Sequence, residues 1–303
     1  MPWLKDIHSH KLDATLHFAE KGHVYTYIPT KERVRTSVSS VLRRYFDAFN
    51  ATAVATNGVP KWAKDDSNKY HHLIRSLKLN FGYTTEQVVD FIVEYWRRNG
   101  EEAARKGTEL HRSLELFLQD ELPNPAPGEA LPVGVAQYLK MRQWFFPDMH
   151  LVPWRVEFAI VLTATLDDGT VVPVVAGQID AIFRDKLGRY WLIDWKTTDP
   201  QKVVLGRKGA NARFVKKAKD MFSQFEADDF TKYSAQLHAY AWILKNGGYE
   251  LPVAGLFLVQ MSEKLERANV VEAMDLEEEV DAMMRTETDA ALREAVAARA
   301  APA

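Results

Sequence analysis

The sequence predicts an α/β protein: a mixed, mostly antiparallel central β-sheet flanked by helices, with a mainly helical N-terminal region. Three observations predict it. Residues 154–196 carry successive strand signals, alternating apolar and polar with the two-residue period of a sheet. Apolar stripes at helical spacing lie before them, within 86–119, and after them, within 230–246. A last apolar run, Leu256 to Gln260, follows the late helix, so strands and helices interleave.

Composition narrows the chemistry. With 303 residues and 47% hydrophobic content the chain can bury a large core, in one or two domains. A net charge of −2 gives no global basic field, so a nucleic-acid partner needs local patches. The absence of cysteine excludes disulfides, thiolate zinc sites, cysteine nucleophiles and a cysteine-ligated iron–sulfur cluster. No apolar run approaches the roughly 20 residues of a membrane span, and the N-terminus has no apolar stretch of a secretory signal. The expected setting is intracellular, in cytoplasm or in a nucleoid or viral context, with no membrane partner.

His23 to Ile28 alternates as a short strand. Thr36 to Leu42 opens a helix capped by Ser37 or Thr36, packing Val38, Val41 and Leu42. Arg33, Arg35, Arg43 and Arg44 flank it, either solvated or on phosphates. Residues 86–98 form a helix with Val88, Val89, Ile92, Val93 and Trp96 inward, and Asn99-Gly100 is expected to stop it. The next helix spans 101–119, with Leu110, Leu114 and Phe117 as its stripe. His111 and Glu115 are one turn apart on it, a spacing that is either structural or able to supply an imidazole and a carboxylate to a metal. Residues 120–134, with four prolines, form a loop, and Val135 to Phe146 a helix ended by Pro147.

Trp154 to Leu162 alternates, with Trp154, Val156, Phe158, Ile160 and Leu162 on one face and Arg155, Glu157 and Ala159 on the other. Gly177 to Lys196 then reads as a β-hairpin. Its loop ends in Gly188, the place where an odd-length loop puts glycine in the left-handed conformation. A three-residue loop, Lys186-Leu187-Gly188, pairs Asp185 with Arg189. It sets Asp180 opposite Asp194 and Gln178 opposite Lys196, on one face. Ile179, Ala181, Phe183, Trp191, Ile193 and Trp195 take the other. A two-residue loop would split the aspartates between faces. Opposed β-carbons lie roughly 4.5–5.5 Å apart, where like charges repel. A divalent cation reverses that sign, and hard oxygen ligands suit Mg²⁺ or Mn²⁺ with a substrate phosphate. Lys196, on the same face, can orient water or stabilise charge on the phosphate. Glu157 either faces this site or is a surface carboxylate. For the hairpin, the plainer alternative is an exposed end with solvated charges.

Thr197 to Asp229 is a polar insertion. Arg207, Lys208, Arg213, Lys216, Lys217 and Lys219 run there without an acid, and Phe214 is interleaved. Basic residues with aromatics suit single-stranded nucleic acid, and a solvated basic segment is the competing reading. In the helix 230–246, Tyr233, Gln236 and Tyr240 share a face while Leu237, Ala241 and Leu244 turn inward. Residues 276–300 form an acidic, then Ala-rich helix that docks or extends freely.

In their order along the chain these pieces resemble the RecB-like branch of the PD-(D/E)XK nuclease superfamily. They are G-x-x-x-H at Gly107–His111, a strand bearing Glu157, G-x-x-D at Gly177–Asp180, D-x-K at Asp194–Lys196 and Q-x-x-x-Y at Gln236–Tyr240. Tyr25 and the S-V-S-S-V-L stretch also resemble phage-type and mitochondrial-genome-maintenance exonucleases. The resemblance implies a restriction-endonuclease-like core. It also implies metal ligation by His111, Asp180, Asp194 and the carbonyl of Trp195. Lys196 would stand beside the water nucleophile, and Gln236 and Tyr240 would shape the site and hold DNA. Ile179 stands where the name-giving proline would be, as is usual in that branch.

The expectation is therefore a Mg²⁺- or Mn²⁺-dependent DNA nuclease without an iron–sulfur cluster. It would be an exonuclease on single-stranded or end-containing DNA, in replication, recombination or repair. A structure-selective endonuclease and a non-catalytic DNA-binding scaffold are the alternatives. The expected division is a helical region 1–100 packed on the core, a core 101–265 with its basic insertion at 199–229, and a helical tail 266–303.

Overall fold

A computed structural model describes residues 3–120, 129–145, 150–197 and 216–300. The chain divides into two compact units, Met1–Asp47 with Glu109–Ala303, and Ala48–Thr108. Among the described residues no helix is long and apolar enough to cross a membrane.

The smaller unit is helical. Helices Ala51–Trp62 and His71–Phe81 and the first part of a long helix, Thr85–Leu118, enclose Ala55, Val59, Ile74, Leu77, Val88, Val89 and Ile92. The Trp96 indole donates to the Tyr70 hydroxyl at 2.7 Å. Asn99-Gly100 does not stop the long helix, contrary to the sequence expectation. Gly100 keeps φ out of the left-handed region. An ion pair of Arg97 with Glu101 spans the glycine at helical spacing, and pairs of Arg97 and Arg98 with Glu94 support the turn before it.

The larger unit is the α/β body. A small antiparallel sheet, Leu16–Ala19, Val24–Tyr27 and Glu32–Arg33 (β1–β3), precedes the main one. The main sheet holds β4 (Thr36–Ser37), β5 (Val152–Thr165), β6 (Val171–Arg184), β7 (Tyr190–Lys196), β8 (Val253–Gln260) and β9 (Asn269–Glu272). It is mixed: β4 with β6 and β7 with β8 are parallel, and the other three pairings are antiparallel. The hairpin takes the three-residue loop. Arg184 pairs with Tyr190, the Asp185 amide donates to the Arg189 carbonyl at 3.0 Å, and Gly188 has φ +80°.

Alternate residues of the central strands enter different cores. Ala181, Phe183, Ile193, Trp195 and Val259 pack with Leu110 and Leu114 of the long helix and with Tyr138 and Met141 of the helix Val133–Trp144. Ile182, Leu192 and Leu258 pack on the opposite face. There they meet the helices Val38–Tyr45 (α2), Asp229–Asn246 (α7) and Glu277–Ala300 (α8). The face on which the register places Gln178, Asp180, Asp194 and Lys196 is thus also the face of a second core, and Ile179 belongs to that core rather than with Ala181. The Ser37 side chain caps α2 by accepting from the Ser40 amide at 3.3 Å. Helix α8 docks through Val280, Met283, Met284 and Ala291. Its buried Glu287 accepts from Arg35 at 2.9 Å and pairs with Arg44.

Candidate metal centre

The sheet leaves a gap where the motif residues stand. Strand β5 runs along one edge of β6. The other edge is shared, with β4 at Val175 and Ala176 and β7 at Ala181 to Arg184. Gly177, Gln178, Ile179 and Asp180 lie between and have no ladder partner there. The β6–β7 ladder ends at Ala181 and Ile193, so Asp180 and Asp194 are not a laddered pair as the hairpin register implied. Instead the strands part, and Asp180 Oδ2 accepts the Trp195 amide at 2.8 Å. The Asp180 carboxylate thereby replaces a ladder acceptor and is held in the gap.

From the long helix, His111 reaches the same place. Its Nε2 donates to the Trp195 carbonyl at 3.1 Å. Its Nδ1 lies 3.7 Å from Asp180 Oδ1 and 3.8 Å from Glu157 Oε1. His111, Glu157 and Asp180 each offer a ligand atom, all within 4.8 Å of one another. Glu157 gets there through an unusual backbone. Its φ is +46° in the middle of β5, a conformation that L-residues rarely adopt. This resets the alternation: Val156 enters one core and Phe158 the other, against the single apolar face expected of Trp154 to Leu162. The Gln178 amide donates to the Glu157 carbonyl at 3.4 Å across the distortion.

Asp194 and Lys196 stand beside this group. Asp194 is 2% exposed. Its Oδ2 lies 2.5 Å from Lys196 Nζ, a close ion contact, yet has no hydrogen bond of good geometry. The Lys196 ammonium also lies 4.2 Å from the centre of the Tyr233 ring. On α7, Gln236 Nε2 donates to the Tyr240 hydroxyl at 2.7 Å. The buried Tyr240 ring packs where a side chain at Gly177 would be: a β-carbon there would lie 2.5 Å from Tyr240 Cε1.

The electrostatics follow from crowding. Burial and neighbouring carboxylates work against ionising the acids. Burial, then the Asp180 charge, carries Asp194 up to about 6 despite Lys196. Burial and Glu157 likewise raise Asp180, against His111 and Lys196. Burial would lower His111, but Asp180, Glu157 and Asp194 outweigh it and bring the imidazole to about 9. Lys196 is also raised, burial being outweighed by Asp194 and Asp180. Protons here do what a cation would do better. A buried carboxylate oxygen lacking a hydrogen bond, beside an imidazole and two further carboxylates, fits a hard divalent ion.

Other expected residues lie elsewhere. Glu115 shares the helix with His111, but its carboxylate accepts from Arg112 at 2.6 Å and from Gln119 at 3.3 Å and does not join the group. Lys216 pairs with Asp47, and Lys217 donates to the Gln224 carbonyl at 2.9 Å. Arg207, Lys208 and Arg213 lie outside the described residues. Tyr233 was legible only as a member of the Gln236 and Tyr240 face. No sequence signal marked the backbone of Glu157, since glutamate is not a residue chosen for positive φ.

A family model described as the PD-(D/E)XK nuclease superfamily matches residues 81–303. No curated protein matches the chain. Among solved structures, one titled "Crystal structure of SSO0001" aligns loosely. It is 15% identical, with 61% of this chain and 69% of that chain covered and a TM-score of 0.26.

Proposed function

Because the chain belongs to the PD-(D/E)XK nuclease superfamily, we propose that it is a Mg²⁺- or Mn²⁺-dependent deoxyribonuclease, acting as an exonuclease on single-stranded or end-containing DNA. The observation that carries this reading is the buried Asp194 carboxylate, its Oδ2 met by the Lys196 ammonium but by no hydrogen bond of good geometry, next to the group of His111, Glu157 and Asp180.

In this reading His111, Asp180, Asp194 and the Trp195 carbonyl hold the ion, with Glu157 completing the set. A bound divalent ion polarises a phosphate and makes water more acidic. Lys196, charged and nearly buried, stabilises negative charge developing on the phosphate and orients the attacking water. Asp180 fixes the end of β7 through the Trp195 amide, so the acid and the lysine keep their spacing. Gln236 and Tyr240 form the wall against Gly177. Glu115 takes no part. The preference for single strands rests on the basic composition of residues 207–219 in the sequence, of which Lys216 and Lys217 are engaged by Asp47 and the Gln224 carbonyl, and on the resemblance of the N-terminal segment to phage-type exonucleases.

The test is cleavage of end-labelled single-stranded, duplex and closed circular DNA with Mg²⁺, Mn²⁺ or EDTA, alongside Asp194→Ala and Lys196→Ala. Metal-dependent loss of linear DNA, abolished in both variants, is expected. Undiminished cleavage by Asp194→Ala would overturn the mechanism, and cutting of closed circles would replace exonuclease by endonuclease.

A further inference from the structure

Lys196 has two neighbours whose claims on it conflict. Its backbone is fixed at the end of β7, where Lys196 pairs with Gln260 and its carbonyl accepts the Met261 amide at 2.8 Å. Its side chain is 15% exposed and lies between the Asp194 carboxylate, at 2.5 Å, and the face of Tyr233, at 4.2 Å. The Asp194 oxygen that faces the ammonium is the one left without a hydrogen bond. A divalent ion held by Asp194 would compete with the ammonium for that carboxylate and would repel the ammonium. The lysine would then lose its closest anchor.

We propose that Tyr233 is the positioning residue for Lys196, its ring face holding the ammonium in place when Asp194 turns to a cation. This rests on the nuclease reading of the same site. The attraction is between a cation and the negative face of the ring, and it strengthens where water is excluded. It asks nothing of the carboxylate, so it survives the loss of the ion pair. The mounting is firm. Tyr233 lies on the face of α7 that carries Gln236 and Tyr240, and the Tyr240 ring is wedged against Gly177. Asp228 caps the start of this helix by accepting the Thr231 amide at 2.8 Å. The Tyr233 ring packs against the core beneath the sheet. Among the described residues the Tyr233 hydroxyl makes no hydrogen bond, which leaves the ring itself as what the lysine meets.

The test compares Tyr233→Leu, Tyr233→Phe and a series of progressively fluorinated phenylalanines at 233, which keep ring shape while draining the negative face. On DNA that the wild type cleaves, Tyr233→Leu is expected to lower kcat about tenfold, the scale of one such contact. KM for DNA and the dissociation constant for Mn²⁺ should stay put. Tyr233→Phe should recover most of that loss, and log kcat should fall stepwise with fluorination. A flat fluorine series, a Leu variant with full kcat, or a Phe variant as poor as Leu would each overturn the proposal. The fluorinated set also guards against Leu simply misfolding.

A second readout needs no cleavage. Lysine ε-protons are followed by NMR, with Lys196 assigned from Lys196→Arg. They should be shifted upfield by the ring in the wild type, remain so on adding Mg²⁺, and lose the shift in Tyr233→Leu. A shift that vanishes with Mg²⁺ in the wild type would overturn the proposal. A persistent shift in a protein that cleaves no DNA would overturn the nuclease reading and leave the placement of Lys196 standing.

Discussion

Asp180 Oδ2 accepts the backbone amide of Trp195 at 2.8 Å, across the point where their two strands stop pairing. A side chain thus supplies the acceptor that a ladder carbonyl supplies elsewhere. The same carboxylate faces His111 and Glu157 through its other oxygen. If Asp180 is a metal ligand, structural and chemical duties meet on one group, and substitution can separate them.

Asp180→Asn keeps an acceptor for the Trp195 amide and removes a charge that burial and Glu157 disfavour. Cleavage should fall by about 10³ or more, as for loss of a preorganised charged group. In EDTA the variant should melt at or above the wild-type temperature, and addition of Mg²⁺ should no longer raise it. Calorimetry with and without metal checks both halves.

Acidity should govern stability and metal binding in opposite senses. The folded state holds Asp194 at about 6, above its ordinary carboxylate value, and His111 at about 9, above that of a free imidazole. A raised folded value means extra protons are bound on folding. The stabilisation is complete below the unfolded value and is lost as pH climbs through the folded one. Metal-free protein should therefore weaken as pH rises from about 4 to 6, through Asp194, and again from about 6.5 to 9, through His111. Mg²⁺ competes with those protons, so the rise in Tm it causes should grow with pH. Melting curves across pH with EDTA or Mg²⁺ measure this, and a metal effect that shrinks with pH would contradict it.

Gly177→Ala places a methyl 2.5 Å from Tyr240 Cε1 and 3.4 Å from Val38 Cγ2. The ring must move, taking the Gln236 hydrogen bond with it. A loss of roughly 1–3 kcal/mol is expected, as for overpacking a filled core, together with reduced cleavage. Tyr240→Leu in the same chain should return part of the stability but not the activity. Urea unfolding of the two single variants and the double variant gives the coupling.

Glu287→Ala removes the carboxylate that gathers Arg35 and Arg44 beneath α8. Roughly 1–3 kcal/mol should be lost, the scale of a buried charged hydrogen-bonding group left unmatched. Faster amide exchange should be confined mainly to Glu277 to Ala300. Metal affinity should hold, because the residues around Asp180 do not touch this network.

Glu115→Gln should leave Mn²⁺ affinity within about twofold, whereas His111→Ala should weaken it at least tenfold, the scale of a lost ligand or its support. Isothermal titration separates the two. Equal losses would return Glu115 to the site.

Local chemistry made much of this legible. Gly188 specified the loop and with it the register of β6 and β7, and Ser37 specified the start of α2. What escaped was decided in part by competing partners along the same helix and in part at long range. Asn99-Gly100 looks like a helix stop, but the helix runs through it, with the Arg97–Glu101 ion pair spanning the glycine. Helical spacing alone puts Glu115 with His111, and only the nearer Arg112 and Gln119 show where its charge is satisfied. The four residues of β9 are too few to announce a strand, and the parallel union of β7 with β8 depends on segments some 60 residues apart. The gap at Gly177 to Asp180 exists because two strands share one edge of β6, which is a property of topology and not of any residue in it.

Glu157 adds an evolutionary reading. An L-residue held at positive φ costs about 1–2 kcal/mol, and glycine would remove that strain for an entropic cost of about 0.5–1 kcal/mol. Drift governed by foldability alone would favour glycine at this point of β5. A glutamate there, with its carboxylate among the candidate ligands, accepts backbone strain that glycine would relieve, and if Glu157 is a ligand that strain is the cost of placing it.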